Sequence, residues 1–169
     1  MKKYLLFPAF IFLVTFSFGQ KGIGFDLGFS TSKAPMVDVK YFVDKNAGSI
    51  GFSYQVFNDA LGKKEPDVIA GTNAIGDGDY FYSVDIGYTR VLSEKFCISG
   101  EVSIGQRIYY QNLSDITFAQ GGYHRTIEKK SVIGGGASLT YDVNEHVGVF
   151  AGYNSLREGS LGIQFRFLH

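Results

Sequence analysis

The sequence has a single cysteine, no tryptophan and only three prolines in 169 residues. One cysteine, Cys97, cannot form an intramolecular disulfide, so other interactions must hold the fold together. Basic and acidic residues number 16 each, and this balance provides no basic surface of the kind that binds nucleic acid. The patterns HExxH, CxxC and GxxxxGK do not occur. We therefore expect no disulfide, no cofactor, no metal centre and no nucleic-acid partner.

The one long apolar run lies at the N-terminus. Lys2 and Lys3 precede the apolar residues 4–18, and the small Gly19 follows them, as at a signal-peptidase cleavage site. A transmembrane anchor is the alternative, but the run is shorter than the ~20 residues that span a bilayer, and Pro8 interrupts it. The prediction is a signal peptide over residues 1–19 followed by a single exported domain over residues 20–169.

From Gly22 onward, apolar and polar residues alternate with a period of two, which is the period of a β-strand with two different faces. The alternation recurs in separate segments, from "GIGFDLGFS" near the start to "SLGIQFRFLH" at the C-terminus. Glycine, tyrosine and phenylalanine are abundant, at 22, 11 and 16 residues, and this composition favours strands and turns over helices. The sequence predicts an all-β fold of about eight strands.

Short and long connections alternate between these segments. If neighbouring strands are antiparallel, all tight turns lie at one end of the sheet and all longer or more variable loops at the other. That asymmetry is typical of up-and-down transmembrane β-barrels. The predicted tight turns are 44–48, 92–95 and 142–146, and the predicted loops are 30–35, 58–79, 111–130 and 155–159.

Alternation alone does not show which face of the strands points inward. A water-soluble barrel buries its apolar face, whereas a membrane barrel exposes it to lipid. The polar face is rich in glycine and serine, which suit the narrow interior of a small barrel better than a solvated surface. Aromatic residues collect at both ends of the apolar face, as expected at two membrane interfaces. They are Tyr41, Tyr88, Phe96, Tyr141, Phe165 and Phe167 at the tight-turn end, and Phe29, Tyr80, Tyr82 and Tyr153 at the other.

The C-terminal segment resembles the terminal β-signal of bacterial outer-membrane barrels. Ser160 and Gly162 match the polar residue and the glycine of that motif, and Phe165 and Phe167 match its hydrophobic positions. Two further residues follow the last aromatic and depart from the pattern. With the signal peptide and a strand pattern that covers the whole mature chain, the sequence is similar to small outer-membrane barrels of the OmpX and OmpA type.

This resemblance implies an eight-stranded antiparallel up-and-down transmembrane β-barrel in the bacterial outer membrane. It also implies that the last strand pairs with the first, because an open sheet edge in hydrocarbon would leave backbone groups without hydrogen bonds. The expected partners are the outer-membrane lipid around the apolar face and the barrel-assembly machinery, which recognises the C-terminal strand in that family.

Ionisable and amide residues on the polar face predict a polar network inside the barrel. If the turn at 92–95 centres on Ser93, Asp85 lies opposite Glu101. Two facing carboxyls in a confined site could act as an acid and a base. A network with basic counter-charges that plugs the lumen is the interpretation we favour. The predicted members are Asp26, Asp38, Lys40, Asp85, Glu101, Arg107, Gln164 and Arg166.

Other candidate sites are weaker. Lipid A deacylase barrels carry a His followed two residues later by a Ser-Asn pair, and no histidine here begins that motif; His124, with Thr126 two residues on, comes nearest. Asp77 and Asp79 lie in a glycine-rich stretch and could contact a divalent cation, but two carboxylates are too few for a cage. We expect no catalytic site and no metal site.

The function expected from the sequence is a structural or surface-interaction role, such as adhesion or envelope maintenance, through extracellular loops above a plugged lumen. A narrow pore for small solutes is the first alternative. A lipid A-modifying barrel enzyme and a secreted soluble barrel that binds an apolar ligand are the others.

Overall fold

The computed structural model describes residues 21–56, 58–67, 69, 71–117 and 121–168, and the predicted signal peptide lies outside them. Each strand is antiparallel to its neighbours, and the ring closes between the last strand and the first. The predicted all-β up-and-down barrel is confirmed. No helix in these ranges is long and apolar enough to cross a membrane. The strands are β1 (Lys21–Ser30), β2 (Pro35–Val43), β3 (Asn46–Tyr54), β4 (Asn73–Val91), β5 (Phe96–Ser114), β6 (Gly122–Asp142), β7 (Val147–Asn154) and β8 (Glu158–Leu168).

Side chains alternate between the outer and inner surfaces of the barrel wall, as the period of two predicts. Ile50 and Leu161 on the outer surface are 60% and 68% exposed, whereas the inward-facing Asp85 and Gln164 are almost completely buried. A soluble barrel would have the opposite arrangement, because its apolar side chains would form the core. The prediction that the polar face lies inside is therefore confirmed.

The barrel closes through β1 and β8. Their register places Ile23 opposite Phe167, and Leu168 continues the pairing opposite Gly22. On the outer surface the rings of Phe25 and Phe167 meet edge to face, with centroids 6.2 Å apart. The C-terminal strand thus pairs over its length with the first strand, and Leu168 still belongs to it.

The register between β4 and β5 differs from the prediction by two residues. Asp85 lies opposite Ser103 and not opposite Glu101. The carbonyl oxygen of Phe96 accepts hydrogen bonds from the N–H groups of two successive turn residues, so the turn is asymmetric and does not centre on Ser93. The predicted direct pairing of the two carboxyl residues is wrong, although both strands still direct them into the barrel.

Three neighbouring strands are about twice as long as the other strands. β4, β5 and β6 contain 19, 19 and 21 residues, whereas β1 and β7 contain 10 and 8. Their outer parts continue the sheet beyond the rim that the shorter strands reach. We call this extension, residues 73–81, 107–114 and 122–134, the projecting sheet.

The projecting sheet corrects the sequence prediction, which assigned 58–79 and 111–130 to loops. β4 already begins at Asn73, β5 continues to Ser114 and β6 begins at Gly122. Apolar and polar residues do not alternate regularly there, so the pattern that identifies a strand is lost. Register shifts between Ala74 and Gly76 and between Tyr109 and Tyr110 interrupt it further.

Candidate functional site: the lumen and the projecting sheet

Two phenylalanines occupy part of the lumen. Phe42 and Phe150 point inward and are buried. Glycines on β1 make room for them, because a Cβ at Gly24 would lie 2.8 Å from the Phe42 ring and a Cβ at Gly28 would lie 2.7 Å from the Phe150 ring. Gly162 of β8 faces the same Phe150 ring. The glycines of the polar face thus accommodate aromatic rings inside the barrel.

Arg157 is the centre of the polar network near the rim. It lies in the connection 155–157 between β7 and β8, and its guanidinium reaches across the barrel to Asp85 of β4 and Glu101 of β5. Its side chain is 1% exposed. Asn154 donates hydrogen bonds to Glu101 Oε1 at 2.6 Å and to Ser103 Oγ at 2.8 Å. One cation from β7–β8 thereby joins carboxylates from the opposite wall.

A second group of polar side chains lies nearer the tight-turn end. Lys40 Nζ is 2.7 Å from Asp26 Oδ2, and Gln164 Nε2 donates to Asp26 Oδ1 at 2.8 Å. The Oε1 atom of Gln164 accepts a hydrogen bond from Arg166 Nε at 2.8 Å, and Arg166 also forms an ion pair with Asp142. The contacts cross from β2 through β1 and β8 to β6, so they join non-adjacent walls of the barrel.

The structure places most predicted lumen residues inside the barrel and one outside it. Arg107 lies on the projecting sheet, where its Nε is 3.4 Å from Asp79 Oδ2 and both side chains are partly exposed. Asp142 and Asn154 were missed, although each continues the inward alternation of its strand. Arg157 was missed because a turn residue has no periodic signal. Those inside are Asp26, Asp38, Lys40, Asp85, Glu101, Gln164 and Arg166.

The lumen carboxyls that were considered for catalysis are engaged in ion pairs. Asp85 and Glu101, considered for acid–base work, both accept hydrogen bonds from the Arg157 guanidinium. In the described ranges no group of three or more His, Cys, Asp or Glu residues could hold a metal ion. His124 Nδ1 lies 2.8 Å from the carbonyl oxygen of Leu61, which is a structural position. These contacts orient side chains and stabilise the barrel.

Between β3 and β4, the described residues of the stretch 55–72, which we call the wrapping segment, pack around the tip of the projecting sheet. Asn112 Oδ1 accepts a hydrogen bond from the Leu61 N–H at 2.9 Å, and at the β6 edge the segment pairs with the backbone of His124. Successive side chains of a strand point to opposite faces, so the side chain of Tyr123 lies on the face opposite to that of His124. The Tyr123 hydroxyl accepts a hydrogen bond from the Ile69 N–H at 2.7 Å. The segment therefore contacts both faces of the tip.

The side chain of Tyr110 lies beneath the wrapping segment, in a small group of aromatic residues. Tyr110 is buried on the projecting sheet, and its ring packs on Tyr80 and edge to face on His124. Burial raises the pKa of the Tyr110 hydroxyl. The tip of the projecting sheet is therefore a packed structure with its own small aromatic core.

Below the tip, part of the β6 edge carries no neighbouring strand. β7 pairs with β6 only from Gly136 to Asp142, and the wrapping segment bridges it only at His124. Among the described residues, no strand pairs with the β6 edge between these two contacts. Residues 127–131 are exposed on both faces of the sheet. Their outward-directed backbone groups are available to another chain.

The two edges of the projecting sheet differ in charge. The β6 side, with the adjoining part of the wrapping segment, has more basic than acidic residues. The β4 side has acidic residues, and Asp79 among them pairs with Arg107. The basic residues are Lys63, Lys64, Arg125, Lys129 and Lys130 against Glu65, Asp67 and Glu128, and the acidic residues on the β4 side are Asp59, Asp77 and Asp79.

A closed ring of eight strands with an apolar outer belt and a polar interior is the architecture of small outer-membrane β-barrels of the OmpX and OmpA type. The fold is similar to that of Ail, the attachment invasion locus protein of Yersinia pestis, in two crystal structures. The structure in complex with the heparin analogue sucrose octasulfate is 15% identical, with a TM-score of 0.51 over 88% of this chain and 95% of that chain. The other is 16% identical, with a TM-score of 0.50 over the same shares.

A third solved structure is similar at a lower score. It is the N-terminal β-barrel domain of Pseudomonas aeruginosa OprF, 13% identical with a TM-score of 0.47 over 88% of this chain and 98% of that chain. At these identities the likeness to solved structures establishes the fold alone. No protein-family model and no curated protein matches the sequence.

Proposed function

We propose that this chain is an integral outer-membrane barrel with a closed lumen that attaches to other macromolecules through its projecting sheet. The observation that carries the proposal is the difference in strand length. Three adjacent strands extend beyond the rim, and the β6 edge at 127–131 is exposed on both faces. A protein that served only as a membrane anchor would not need this extension.

The outer surface supports the membrane location. Apolar side chains cover it between two sets of aromatic residues, and such a surface would be unstable in water. Tyr41 and Phe167 at the tight-turn end are each 55% exposed, and Tyr153 near the rim is 63% exposed. Aromatic side chains at both interfaces are typical of outer-membrane barrels. The tight-turn end then faces the periplasm and the projecting sheet faces outward.

The interior supports a closed lumen. Phe42 and Phe150 occupy it, and Arg157 bridges opposite walls near the rim. An eight-stranded barrel is only wide enough for side chains to fill. We expect the purified protein to show no steady single-channel conductance in planar bilayers. A steady ohmic conductance would favour the narrow pore over the attachment role.

An exposed strand edge binds other chains by adding a strand to the sheet. The partner supplies main-chain hydrogen bonds, and side-chain contacts then select among sequences. The natural defences of edge strands are charges, prolines and covering loops. Here the wrapping segment protects the tip, while Lys129 and Lys130 lie within the exposed part. These charges keep the exposed part of β6 hydrated, and its backbone can still pair with a strand of another chain.

The edge is tested by blocking it chemically. In a Cys97→Ser background, Lys129→Cys is coupled to a bulky maleimide, and Lys33→Cys on the short β1–β2 turn is coupled as the matched control. The probe is reduced, carboxymethylated α-lactalbumin, a permanently unfolded chain, titrated against the barrel in nanodiscs. We expect the adduct at position 129 to weaken binding at least about tenfold and the adduct at position 33 to leave it unchanged. Equal effects would contradict the edge as the binding site.

The charge of the β6 side favours a second candidate, a sulfated polysaccharide. Ail has been crystallised with a heparin analogue, but the likeness extends to the fold only, so the argument rests on Lys129, Lys130 and their basic neighbours. We expect heparin to bind the barrel in a salt-dependent manner. The variant Lys129→Gln/Lys130→Gln should weaken it, whereas Lys45→Gln/Lys95→Gln at the opposite end should not. Heparin binding that is equal in both variants would exclude this candidate.

A further inference from the structure

The projecting sheet has a second edge without a neighbouring strand, on β4. β3 pairs with β4 as far as Tyr82, and the Phe81 carbonyl oxygen accepts one more backbone hydrogen bond, from the Gln55 N–H at 3.0 Å. Among the described residues, no strand pairs with this edge of β4 beyond Phe81. Residues 73–77 are exposed. An unpaired edge presents N–H and C=O groups to another chain, so the sheet can accept a strand on either side.

A cleft lies beside the β4 edge, between the β1–β2 turn and the first residues of the wrapping segment. Its volume is about 280 Å³, which is space for side chains of a second chain. Carboxylates outnumber cations there, even when Arg107, which pairs with Asp79, is counted. A partner at this edge should therefore be basic. The charged residues of the lining are Lys33, Asp59, Asp77 and Asp79.

The β6 edge has the complementary charge. Lys129 and Lys130 are exposed, and Glu128 beside them pairs with Lys130, with 3.2 Å between Oε2 and Nζ. The adjoining part of the wrapping segment adds further basic residues. Two β6 edges in contact would place lysines against lysines, and two β4 edges would place carboxylates against carboxylates. Charge therefore favours contact between the β6 edge of one molecule and the β4 edge of another.

The backbones of the two edges can form a regular ladder. The Phe81 carbonyl oxygen points away from β5, and since backbone groups alternate along a strand, those of Asp79 point to the same side. On β6 the Gly135 carbonyl oxygen accepts a hydrogen bond from the Ser155 N–H at 3.0 Å. The register of β6 is continuous from Gly135 to Ser131, so the backbone groups of Ser131 also point to the free edge.

The strand directions suit molecules that stand side by side in one membrane. β4 and β6 both run from the projecting end to the tight-turn end. The β6 edge of one molecule and the β4 edge of a neighbour with the same orientation therefore pair as parallel strands. Strands of membrane barrels are tilted by about 35–45°, so the projecting sheet leans beyond the barrel wall towards a neighbour.

We propose that the β6 edge of one molecule pairs with the β4 edge of a second copy in the same membrane. The inference rests on the proposed function, because it names the partner of the same β6 edge. The contact joins two different surfaces, so each molecule keeps one edge free for the next copy. The copies form a ring where the rotation closes and an open row where it does not.

The test joins single cysteines on the two edges. In a Cys97→Ser background, one copy carries Ser131→Cys on β6, and a second copy with a different tag carries Ile75→Cys on β4. Both are expressed in the same cells and joined with a short bismaleimide. We expect the mixed dimer to exceed each same-variant dimer at least about tenfold, because only unlike edges pair. Similar amounts of the three dimers would overturn the proposal.

The charges are tested in the same assay. Lys129→Glu/Lys130→Glu in the copy with the β6 cysteine should reduce the mixed dimer about tenfold, because acidic edges then meet. Lys45→Glu/Lys95→Glu at the tight-turn end is the matched control and should leave the mixed dimer unchanged. Equal reductions by the two pairs would contradict a contact at the β6 edge.

An exchange of charge identifies the partner edge. Asp59→Lys/Asp77→Lys in the copy with the β4 cysteine makes that edge basic. It should reduce the dimer with an unchanged β6 edge and restore the dimer with the acidic β6 variant. A mixed dimer that is not restored would contradict pairing between these two edges.

The wild type decides if a variant does not reach the outer membrane. Unlabelled and isotope-labelled barrels are reconstituted into the same vesicles, and a carbodiimide joins carboxylates to amines in direct contact. Crosslinks of mixed isotope content between the carboxylates beside β4 and Lys129 or Lys130 support the proposal. Their absence would overturn it.

Two outcomes separate this inference from its neighbours. If cells that each carry one variant form the mixed dimer only when the cells are mixed, the contact lies between cells and the pairing within one membrane is wrong. If no dimer forms while unfolded α-lactalbumin still binds at the β6 edge, the proposed function stands and self-association is wrong. If neither binds, both are wrong.

Discussion

The barrel body and the projecting sheet are built from the same three strands in two different surroundings. Within the body, β4, β5 and β6 alternate between apolar outward residues and polar inward residues. Beyond the rim, the same strands lose this regular alternation, and residues 127–131 are exposed on both faces of the sheet. The buried ion pairs of the body lie in the lumen, whereas the ion pair between Arg107 and Asp79 on the projecting sheet is partly exposed.

The difference shows which contacts carry stability. In the body an arginine is buried between two carboxylates, and removing one member of such a group leaves an unpaired buried charge. On the projecting sheet an arginine forms a partly exposed ion pair, which contributes little. Arg157 and Arg107 therefore contribute differently to the free energy of unfolding, because one is buried and the other is partly exposed.

The largest expected effect comes from the buried arginine. Arg157→Met leaves Asp85 and Glu101 without their cation, and we expect the free energy of unfolding to fall by about 3–5 kcal/mol. The matched change Arg107→Met on the projecting sheet should cost at most about 1 kcal/mol. Urea titrations read by gel migration measure both. Equal losses would mean that the two regions do not differ in the way proposed.

An intermediate effect is expected from packing inside the lumen. Gly162→Val places a side chain against the Phe150 ring and the Leu27 carbonyl oxygen, and we expect a loss of about 1–3 kcal/mol. Gly100→Val is the control, because nothing lies within 4 Å of a Cβ at Gly100. Adding Phe150→Leu to Gly162→Val should recover part of the loss. If Gly100→Val destabilises the barrel as much as Gly162→Val does, packing inside the lumen is not the cause.

The smallest effect on the barrel is expected from the tip. Asn112→Ala removes hydrogen bonds to the wrapping segment, each worth about 1 kcal/mol. The barrel should keep its unfolding midpoint, since the tip lies outside the body. Hydrogen exchange at Leu61 should nevertheless accelerate. A loss of barrel stability would show that the projecting sheet and the body unfold as one unit.

Much of the body could be predicted from the sequence because lipid imposes strict alternation. Apolar residues such as Ile50 and Ile86 must face hydrocarbon, so the strand number, the inside face and the closing pair follow from the pattern. The projecting sheet could not be predicted in this way, since no surrounding lipid imposes a period on it. A slip of register costs little in such a strand.

The lumen was predictable only in part. Inward-facing residues follow from alternation, but the pairing between walls depends on register, and the asymmetric turn at Phe96 changed it by two residues. Arg157 lies in a turn, and no sequence period shows where the side chain of a turn residue points. Tertiary contacts from connections therefore need a structure, whereas the faces of the strands do not.

The barrel should span the outer membrane with the projecting sheet outside the cell. Lys129→Cys on that sheet and Glu94→Cys in a tight turn, each in a Cys97→Ser background, can be labelled with a membrane-impermeant maleimide on intact cells. We expect position 129 to be labelled on intact cells and position 94 to be labelled only after permeabilisation. Labelling of position 94 on intact cells, or a soluble protein in the periplasm, would show that the barrel does not span the outer membrane in this orientation.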